Sequence, residues 1–320
     1  MANLKGVFLD LATVDRGDLD LFALKQTLPD WQFHNTTDPK ETAARIQDAA
    51  VVVSNKVILN RPTIEQASNL KLICVAATGT NNVDLEAAKE GGIAVTNVAG
   101  YGTASVVQHV FSLMLALTTR LDEHHSAVAA GEWQRSDQFC LLDFPFRELA
   151  GKTLGIIGYG ELGRAVAQVA EAFGMQILLA QRPGGEPEPG RLPLHDLLPQ
   201  VDVLSLHCPL AENTRNLISA QELSLMKPDA LLINTARGGI VDEMALANAL
   251  RSGRLGGAGV DVLSQEPPVE GNPLLTGDIP NLIVTPHIAW ASRESRQRLV
   301  NELVANIQAF VAGQQRNRLV

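Results

Sequence analysis

The stretch TLGIIGYGELGRAVAQVAEAFG, residues 153–174, decides the fold class of this chain. A short apolar run leads into Gly158, Gly160 and Gly163 in G-x-G-x-x-G spacing, and a helical apolar period follows. In dinucleotide-binding βαβ units such glycines let the turn tighten, let a pyrophosphate reach the N–H groups at the helix start, and let the helix pack closely. A chance glycine cluster is the alternative. Because strand, turn and helix all match, the stretch favours dinucleotide binding.

Apolar runs and helical patterns alternate on both sides of this unit. The early runs are GVFL at 6–9, WQFH at 31–34, VVV at 51–53, LICVA at 72–76 and IAV at 93–95. The later runs are ILLA at 177–180, VDVLSL at 201–206, LLIN at 231–234, GAGVDV at 257–262 and LIVT at 282–285. Such alternation predicts parallel sheets in two α/β domains. We expect a long helix over about 103–121 between them and a final helix over 292–311, which the pattern assigns to neither domain.

Length and composition narrow the class of protein. A chain of 320 residues with 46% hydrophobic residues is long enough for two packed domains. Because 35 acidic residues outnumber 26 basic ones, giving a net charge of −9, we expect neither a nucleic acid nor an anionic membrane as the main partner. Acidic residues at 10 and 15 interrupt any signal-peptide pattern, and the apolar segment 106–117 is too short to span a membrane.

The three cysteines, Cys74, Cys140 and Cys208, are far apart and odd in number. Their spacing predicts neither a disulfide framework nor a zinc site, and no other metal ligands are apparent. We therefore expect a cytoplasmic protein without a bound metal.

The end of the second strand of the glycine-loop unit bears on the choice of cofactor. NAD-binding units usually place an acid there to bind the ribose hydroxyls, whereas this strand ends in Gln181 and Arg182. A guanidinium suits a 2′-phosphate, so NADP(H) is favoured and NAD(H) remains possible. In the alternative, Arg182 stacks on adenine or points into solvent, and Glu186 or Glu188 folds back to the ribose.

Three polar residues follow strands of the same predicted sheet. Arg237 follows LLINTA, Glu266 lies a few residues after GVDV, and His287 follows LIVTP. Ligands of open parallel sheets bind beyond the carboxyl ends of the strands. Reversible hydride transfer to a 2-oxo acid needs a cation for the carboxylate, a proton donor for the carbonyl oxygen, and a group that holds the donor, and these residue types supply all three.

Each of these residues also has an ordinary structural interpretation. The arginine could lie on the surface at a helix start, the glutamate in a proline-containing loop, and the histidine in a cap or the core. Their common position after strands of one sheet favours the catalytic interpretation. The other six histidines are assigned provisionally to structural roles: His34, His109, His124, His125, His195 and His207.

Five ordered motifs resemble the D-isomer-specific 2-hydroxyacid dehydrogenase family over essentially the whole chain. They are GYGELG at 158–163, HCPLAENT at 207–214, NTARGGIVD at 234–242, GVDVLSQEPP at 259–268 and PHIAWAS at 286–292. Within the family the chain is most similar to the glycerate dehydrogenase or hydroxypyruvate (glyoxylate) reductase group.

The resemblance implies two Rossmann-like domains, one flavodoxin-like and one dinucleotide-binding, with a cleft between them. Residues 1–99 and 288–320 would form a discontinuous substrate-binding (catalytic) domain, and residues 100–287 the NAD(P)-binding domain. The resemblance also implies that Arg237 binds the substrate, that His287 is the acid/base, and that Glu266 pairs with His287.

The resemblance implies further contacts with cofactor and substrate. The implied cofactor-binding residues are Thr103, Gly158, Gly160, Glu161, Leu162, Gly163, Gln181, Arg182, His207, Cys208, Pro209, Thr214, Thr235, Ala236, Asp261 and Ala289. The implied substrate-binding residues are Ala77, Thr78, Gly79, Arg237, His287 and Trp290. Thr103 is equally suited to capping the long helix, Cys208 to packing, and residues 77–79 to a plain loop.

The chain departs from the family pattern at a few positions. Gln108 stands where an acid is more usual, and Ala289 with Trp290 replaces Gly-Ser after the catalytic histidine. Trp290 would either narrow the substrate pocket or pack under the final helix.

We expect an NAD(P)-dependent dehydrogenase of small 2-oxo/2-hydroxy acids, with hydroxypyruvate/glycerate or glyoxylate/glycolate as substrates. A nucleotide-sensing protein similar to the corepressors of this fold is one alternative, and a phosphite or formate-type dehydrogenase is another. The resemblance further implies a homodimer, with the apolar helix around 110–117 as its contact, although a helix buried within one chain would show the same pattern.

Overall fold

The computed structural model describes residues 4–320, which form two compact units. Unit 1 joins the chain up to Gly102 with Trp290–Val320, and unit 2 comprises Thr103–Ala289. The final helix, which the apolar pattern left unassigned, belongs to unit 1.

Unit 1 is a five-stranded parallel sheet with helices on both faces. Its strands are β1 (Lys5–Phe8), β2 (Asp30–Phe33), β3 (Val51–Ser54), β4 (Leu72–Val75) and β5 (Ala94–Thr96), in the order β2-β1-β3-β4-β5. Its helices are α1 (Phe22–Lys25), α2 (Thr42–Ile46), α3 (Arg61–Glu65), α4 (Leu85–Glu90) and α11 (Arg293–Val311). Every strand pair is parallel.

The alternation of side chains along each strand supplies unit 1 with two cores. Val7, Val52 and Ile73 face a cluster completed by apolar residues of α2, α3 and α4. Phe8, Val53 and Leu72 face the opposite side, where α1 and α11 cover them. A sheet covered on both faces explains why its strands read as continuous apolar runs.

Unit 2 is a seven-stranded parallel sheet. Its strands are β6 (Thr153–Ile157), β7 (Gln176–Ala180), β8 (Arg191–Leu192), β9 (Val203–Leu206), β10 (Leu231–Asn234), β11 (Gly257–Val260) and β12 (Leu282–Val284), in the order β12-β11-β10-β9-β6-β7-β8. Its helices are α5 (Thr103–Thr119), α6 (Leu121–Ala129), α7 (Glu161–Ala172), α8 (Leu194–Leu197), α9 (Ala220–Leu225) and α10 (Glu243–Arg251).

The strand order of unit 2 reverses beside β6, which has β7 on one side and β9 on the other. Ligands of such sheets bind at the reversal point, beyond the carboxyl ends of the strands. The glycine turn follows β6 at that point. The predicted fold class, two parallel-sheet α/β domains, is confirmed.

The helix expected over about 103–121 is α5, which ends at Thr119, and a second helix that the sequence did not predict, α6, follows it. Arg120 adopts a left-handed φ of 52° and separates α5 from α6. Helix α5 lies against the sheet because Gly259 of β11 leaves room for Leu113. Within residues 4–320 no single helix is both long and apolar enough to cross a bilayer. Helices α5 and α6 taken together have the length and composition for it, but they are bent by 59°.

Candidate active site

The candidate catalytic residues lie at one edge of the sheet of unit 2. Arg237 follows β10, Glu266 follows β11, and His287 follows β12. These three strands are neighbours in the sheet and run in parallel, so their carboxyl ends lie side by side.

His287 and Glu266 form a direct hydrogen bond. Nδ1 of His287 lies 2.5 Å from Oε2 of Glu266, and both side chains are partly exposed. The other carboxylate oxygen, Oε1, accepts a 2.8 Å hydrogen bond from the N–H of Leu263. A carboxylate can only accept, so the pair is satisfied when Nδ1 carries the proton. Nε2 is then the ring atom available for proton exchange with a substrate.

The turn that presents His287 is held by Asp261. His287 has a left-handed φ of 54°, which is unusual for a residue with a side chain. Asp261 is 1% exposed, and its carboxylate accepts hydrogen bonds from Thr285 Oγ1 at 2.5 Å and from the N–H groups of Ile288 and Ala289, both at 2.9 Å. These bonds bind residues on both sides of His287. Asp261 therefore stabilises the backbone conformation that aims the imidazole.

His109 of α5 supports the same turn, in agreement with the structural role that the sequence predicts for it. Its Nε2 lies 2.9 Å from Thr285 Oγ1 and 3.5 Å from Asp261 Oδ1. The apolar period of α5 gives no sign of this contact, because it depends on the packing of α5 against the last two strands.

Arg237 lies in a loop packed against the segment that carries Glu266. A Cβ on Gly238 would come within 1.8 Å of the carbonyl oxygen of Leu263, so only glycine permits this approach. Buried Asn234 holds the loop by donating to the carbonyl of Arg237 at 3.0 Å and accepting from the N–H of Ala236 at 3.1 Å. The arginine is exposed, and its Nη1 donates to the carbonyl of Ala236.

The glycine turn has the geometry that its spacing predicts. Gly158 has a left-handed φ of 93°, and a Cβ there would come within 2.6 Å of the backbone of His207 and Cys208. A Cβ on Gly163 would come within 2.2 Å of the carbonyl oxygen of Gly158. Gly160 faces open space, with no heavy atom within 4 Å of where its Cβ would be. The first and third glycines thus close the turn, and the second leaves room for a ligand.

Two buried polar atoms near this turn fit a dinucleotide. Nδ1 of His207, after β9, and Oγ1 of Thr235, after β10, are enclosed and have no hydrogen-bond partner among residues 4–320. Buried polar groups are normally satisfied, and unsatisfied ones mark places where a ligand or water is expected. Both atoms lie at the strand ends where a dinucleotide binds, so the residues present suit such a cofactor.

Other residues of the predicted cofactor set lie after strands or within the loops already described. Gln181 and Arg182 follow β7. Leu162 lies within the glycine turn, and Ala236 directly precedes Arg237. Thr214 Oγ1 donates to the carbonyl of Pro209 at 2.7 Å and so braces its own loop. Burial raises the pKa of Cys208 to about 11, so this thiol stays protonated at neutral pH.

The end of β7 contains one exposed cation. Among residues 4–320, Arg182 forms no ion pair, whereas Glu188 pairs with Arg191 at 2.8 Å. Glu188, which with Glu186 is an alternative ribose acceptor, is thus engaged in an ion pair in this structure.

The predicted substrate residues of unit 1 follow β4. The hydroxyl of Thr78 donates to the carbonyl of Val98, the N–H of Val98 donates to the carbonyl of Ala77, and Asn97 Nδ2 donates to the carbonyl of Thr78. The loop after β4 is therefore held in place by hydrogen bonds to the carbonyl groups of Ala77 and Thr78. Trp290 is half-buried in the core under α11 and contacts Tyr101 edge-on at 6.1 Å between ring centroids.

Within residues 4–320, no three His, Cys, Asp or Glu side chains lie close enough together to hold a metal ion.

The chain is similar to known proteins of one family. A family model described as D-isomer specific 2-hydroxyacid dehydrogenase, NAD binding domain, matches residues 111–289. The chain is 47% identical over 306 residues to a glycerate dehydrogenase of Methylorubrum extorquens, covering 95% of this chain and 96% of that protein. It is 40% identical over 317 residues to a hydroxypyruvate reductase of Blautia hydrogenotrophica, covering 97% and 98%.

A solved structure is similar over nearly the full length. The NADPH-dependent glyoxylate/hydroxypyruvate reductase of Sinorhizobium meliloti, in complex with NADP and malonate, superposes with a TM-score of 0.82 at 28% identity and covers 100% of this chain and 97% of that one. The chain belongs to the D-isomer-specific 2-hydroxyacid dehydrogenase family.

Proposed function

We propose that this enzyme reduces hydroxypyruvate or glyoxylate and prefers NADPH as the reductant. The observation that carries the proposal is the hydrogen bond between His287 and Glu266, at the sheet edge where Arg237 also lies. A cation, a proton donor and a carboxylate that orients the donor are the groups that reduction of a 2-oxo acid requires.

Each of the three residues has a distinct task in the proposed reaction. Arg237 pairs with the substrate carboxylate and polarises the 2-oxo group through a second N–H, because a guanidinium offers several donors in one plane. His287 Nε2 donates a proton to the oxygen as it becomes a hydroxyl. Glu266 keeps Nδ1 protonated, so the ring always presents Nε2 to the substrate. When bound, the nicotinamide supplies the hydride that reduces the carbonyl carbon.

The two units have separate proposed roles. Unit 2 binds the cofactor, with the glycine turn at the pyrophosphate and with His207 and Thr235 supplying polar groups from neighbouring strands. Unit 1 binds the substrate, and the N–H groups of residues 77–79 hold its carboxylate. The carbonyls of Ala77 and Thr78 are already engaged within unit 1, which supports a preformed loop.

The proposed preference for NADPH rests on Arg182. Its guanidinium is exposed, unpaired among residues 4–320, and placed directly after β7, where ribose-binding acids of NAD enzymes usually lie. A 2′-phosphate would give this cation a partner. The similar enzyme of Sinorhizobium meliloti, which is NADPH-dependent, supports the same choice.

The proposed substrates are small 2-oxo acids. Relatives named glycerate dehydrogenase and hydroxypyruvate reductase support this range. The bulk of Trp290 would limit the size of the substrate side chain. In its present packing under α11, the tryptophan also serves as a core residue.

We propose further that the protein is a cytoplasmic homodimer. The helix residues first expected at the contact, including Val110 and Met114, are fully buried within their own chain. The segment 121–146 instead exposes several large apolar side chains, among them Phe139 at 91% and Leu142 at 72% exposed. A second copy of the chain would cover such a surface. Three free cysteines fit a reducing compartment.

Steady-state turnover of a panel of 2-oxo acids with NADPH and NADH tests the proposal. The panel contains hydroxypyruvate, glyoxylate, pyruvate and a bulky aromatic 2-oxo acid, with phosphite and formate tested in the oxidative direction. We expect the highest kcat/KM for hydroxypyruvate or glyoxylate with NADPH. Cofactor binding without turnover of any of these compounds would refute the proposal and favour a nucleotide-sensing protein.

A further inference from the structure

We propose that the carboxylate of Glu161 competes with the pyrophosphate of the cofactor, so that it stabilises the cofactor-free enzyme and weakens dinucleotide binding. The inference rests on the proposed function only in that unit 2 binds the dinucleotide at its glycine turn. It assigns to Glu161 an effect opposite to that of an ordinary cofactor-binding residue.

The position of Glu161 is the first observation. It is the first residue of α7 and follows Gly160 directly. Its Oε1 accepts a 2.5 Å hydrogen bond from the hydroxyl of Thr103, which is the first residue of α5. These two helices are 12 and 17 residues long. One carboxylate therefore lies at the starts of two long helices.

The N-termini of helices attract negative charge, and this attraction determines the effect of Glu161. Each helix carries a partial positive charge at its N-terminus, where its first N–H groups lack partners within the helix. A carboxylate placed there stabilises both helices. The pyrophosphate of a dinucleotide uses the same charge and the same N–H groups at α7. The start of α7 is thus one anion-binding position for which two anions, the Glu161 carboxylate and the pyrophosphate, compete.

The charge of Glu161 has no basic partner among residues 4–320, where the carboxylate forms a hydrogen bond with Thr103 but no ion pair. The nearby Arg164, on the next turn of α7, is directed to the carbonyl oxygen of Tyr159 at 3.2 Å. Because the space beside Gly160 is open, an incoming pyrophosphate would approach the same helix start as the uncompensated carboxylate. Binding must therefore displace the carboxylate or tolerate its repulsion.

The alternative role for Glu161, binding of the cofactor, predicts the opposite change in affinity. A carboxylate that accepted hydrogen bonds from cofactor hydroxyls would strengthen binding, and its removal would weaken it. The sign of the change in affinity consequently decides between the two roles.

Glu161→Gln is the decisive variant, because glutamine keeps the size of the side chain and an oxygen for Thr103 but removes the charge. Dissociation constants are measured by isothermal titration calorimetry for NADPH and for 2′-AMP, which lacks a pyrophosphate. We expect NADPH to bind about two- to tenfold more tightly at low salt, with a smaller gain in 0.5 M salt because added ions screen exposed charges. The affinity for 2′-AMP should change less than about twofold, because a single exposed charge has only a weak, screened effect on a ligand without a pyrophosphate.

The melting temperature of the cofactor-free enzyme is a second readout. Glu161→Gln should lower it, while the rise on adding NADPH should be larger than in the wild type. Glu161→Asp keeps the charge with a shorter side chain and should bind NADPH like the wild type. Glu171→Gln, at an exposed glutamate in the last turn of α7, removes the same charge and should neither tighten NADPH binding nor lower the melting temperature.

Unchanged or weaker NADPH binding by Glu161→Gln would overturn the inference, and so would an equal gain for 2′-AMP. The outcome is separable from that of the proposed function. If the wild type binds NADPH but reduces no 2-oxo acid, the proposed function fails and the comparison of Glu161 variants still stands. If the wild type binds no dinucleotide, both fail.

Discussion

Thr285 Oγ1 donates a 2.5 Å hydrogen bond to Oδ1 of Asp261, and this bond ties the end of β12 to a buried carboxylate. The same carboxylate holds the backbone after His287. The orientation of the proposed acid/base therefore depends on a residue that need not touch the substrate.

Thr285→Val should lower kcat about tenfold with a smaller effect on KM. Valine has nearly the shape of threonine but removes one of the donors to buried Asp261, and a hydrogen bond to a charged group is worth about 1.5–3 kcal/mol. Steady-state kinetics and a thermal melt measure both consequences. Thr285→Ser keeps the hydroxyl and should restore most of kcat. A valine variant with full kcat would show that the turn does not need this bond.

Glu266→Gln should reduce kcat by about 10- to 100-fold, because a neutral amide replaces a charge-assisted partner of the imidazole. Glutamine can still accept from Nδ1, so the histidine should stay in place. The affinity for NADPH, measured by fluorescence titration, should be unchanged. A loss confined to KM for the oxo acid would mean that Glu266 binds substrate rather than supporting His287.

Arg182→Ala should raise KM for NADPH far more than KM for NADH. Only NADPH carries the 2′-phosphate that a guanidinium would bind, and a charge-assisted bond of this kind is worth about 1.5–3 kcal/mol, or roughly 10- to 100-fold. Arg191→Ala is a control in the neighbouring β8, since that arginine is paired with Glu188. Equal effects of Arg182→Ala on the two cofactors would refute the phosphate role.

The cofactor-free enzyme should lose stability between pH 6.5 and about 4 because of His207. Burial lowers the pKa of His207 to about 4, from an ordinary value of 6.5. A histidine with a lowered native pKa takes up its proton more readily when unfolded, so its contribution is full above pH 6.5 and falls as the pH falls. From pH 7.5 to 5 the loss should be about 2 kcal/mol.

Urea unfolding of His207→Gln at these two pH values measures that loss. The variant should show a smaller drop in the free energy of unfolding than the wild type, by about the same 2 kcal/mol. Replacement of the exposed His125 by glutamine is the control and should leave the pH dependence as it is. An identical drop in wild type and His207→Gln would contradict the assignment.

The sequence predicts the sheets because buried parallel strands read as uninterrupted apolar runs. It misses β8, since a strand of two residues at the sheet edge has no such run. It also misses α6, which begins at Leu121, directly after the left-handed Arg120. Long apolar segments can thus be predicted from the sequence, whereas short elements and locally strained backbone cannot.

The candidate site divides in the same way. Arg237, Glu266 and His287 are marked by their positions after strands and by the family motifs. The supporting roles of Asn234, which begins one of these motifs, and of His109 are not predicted, because they depend on contacts with loops or strands that only the fold brings together.

His287→Ala tests the central claim most directly. With hydroxypyruvate and glyoxylate at saturation, we expect kcat to fall by about 10²- to 10⁴-fold, the range for loss of a general acid, while the dissociation constant for NADPH stays within twofold of the wild type. A variant that retains full kcat with normal cofactor binding would contradict the account, because the proton would then come from another group.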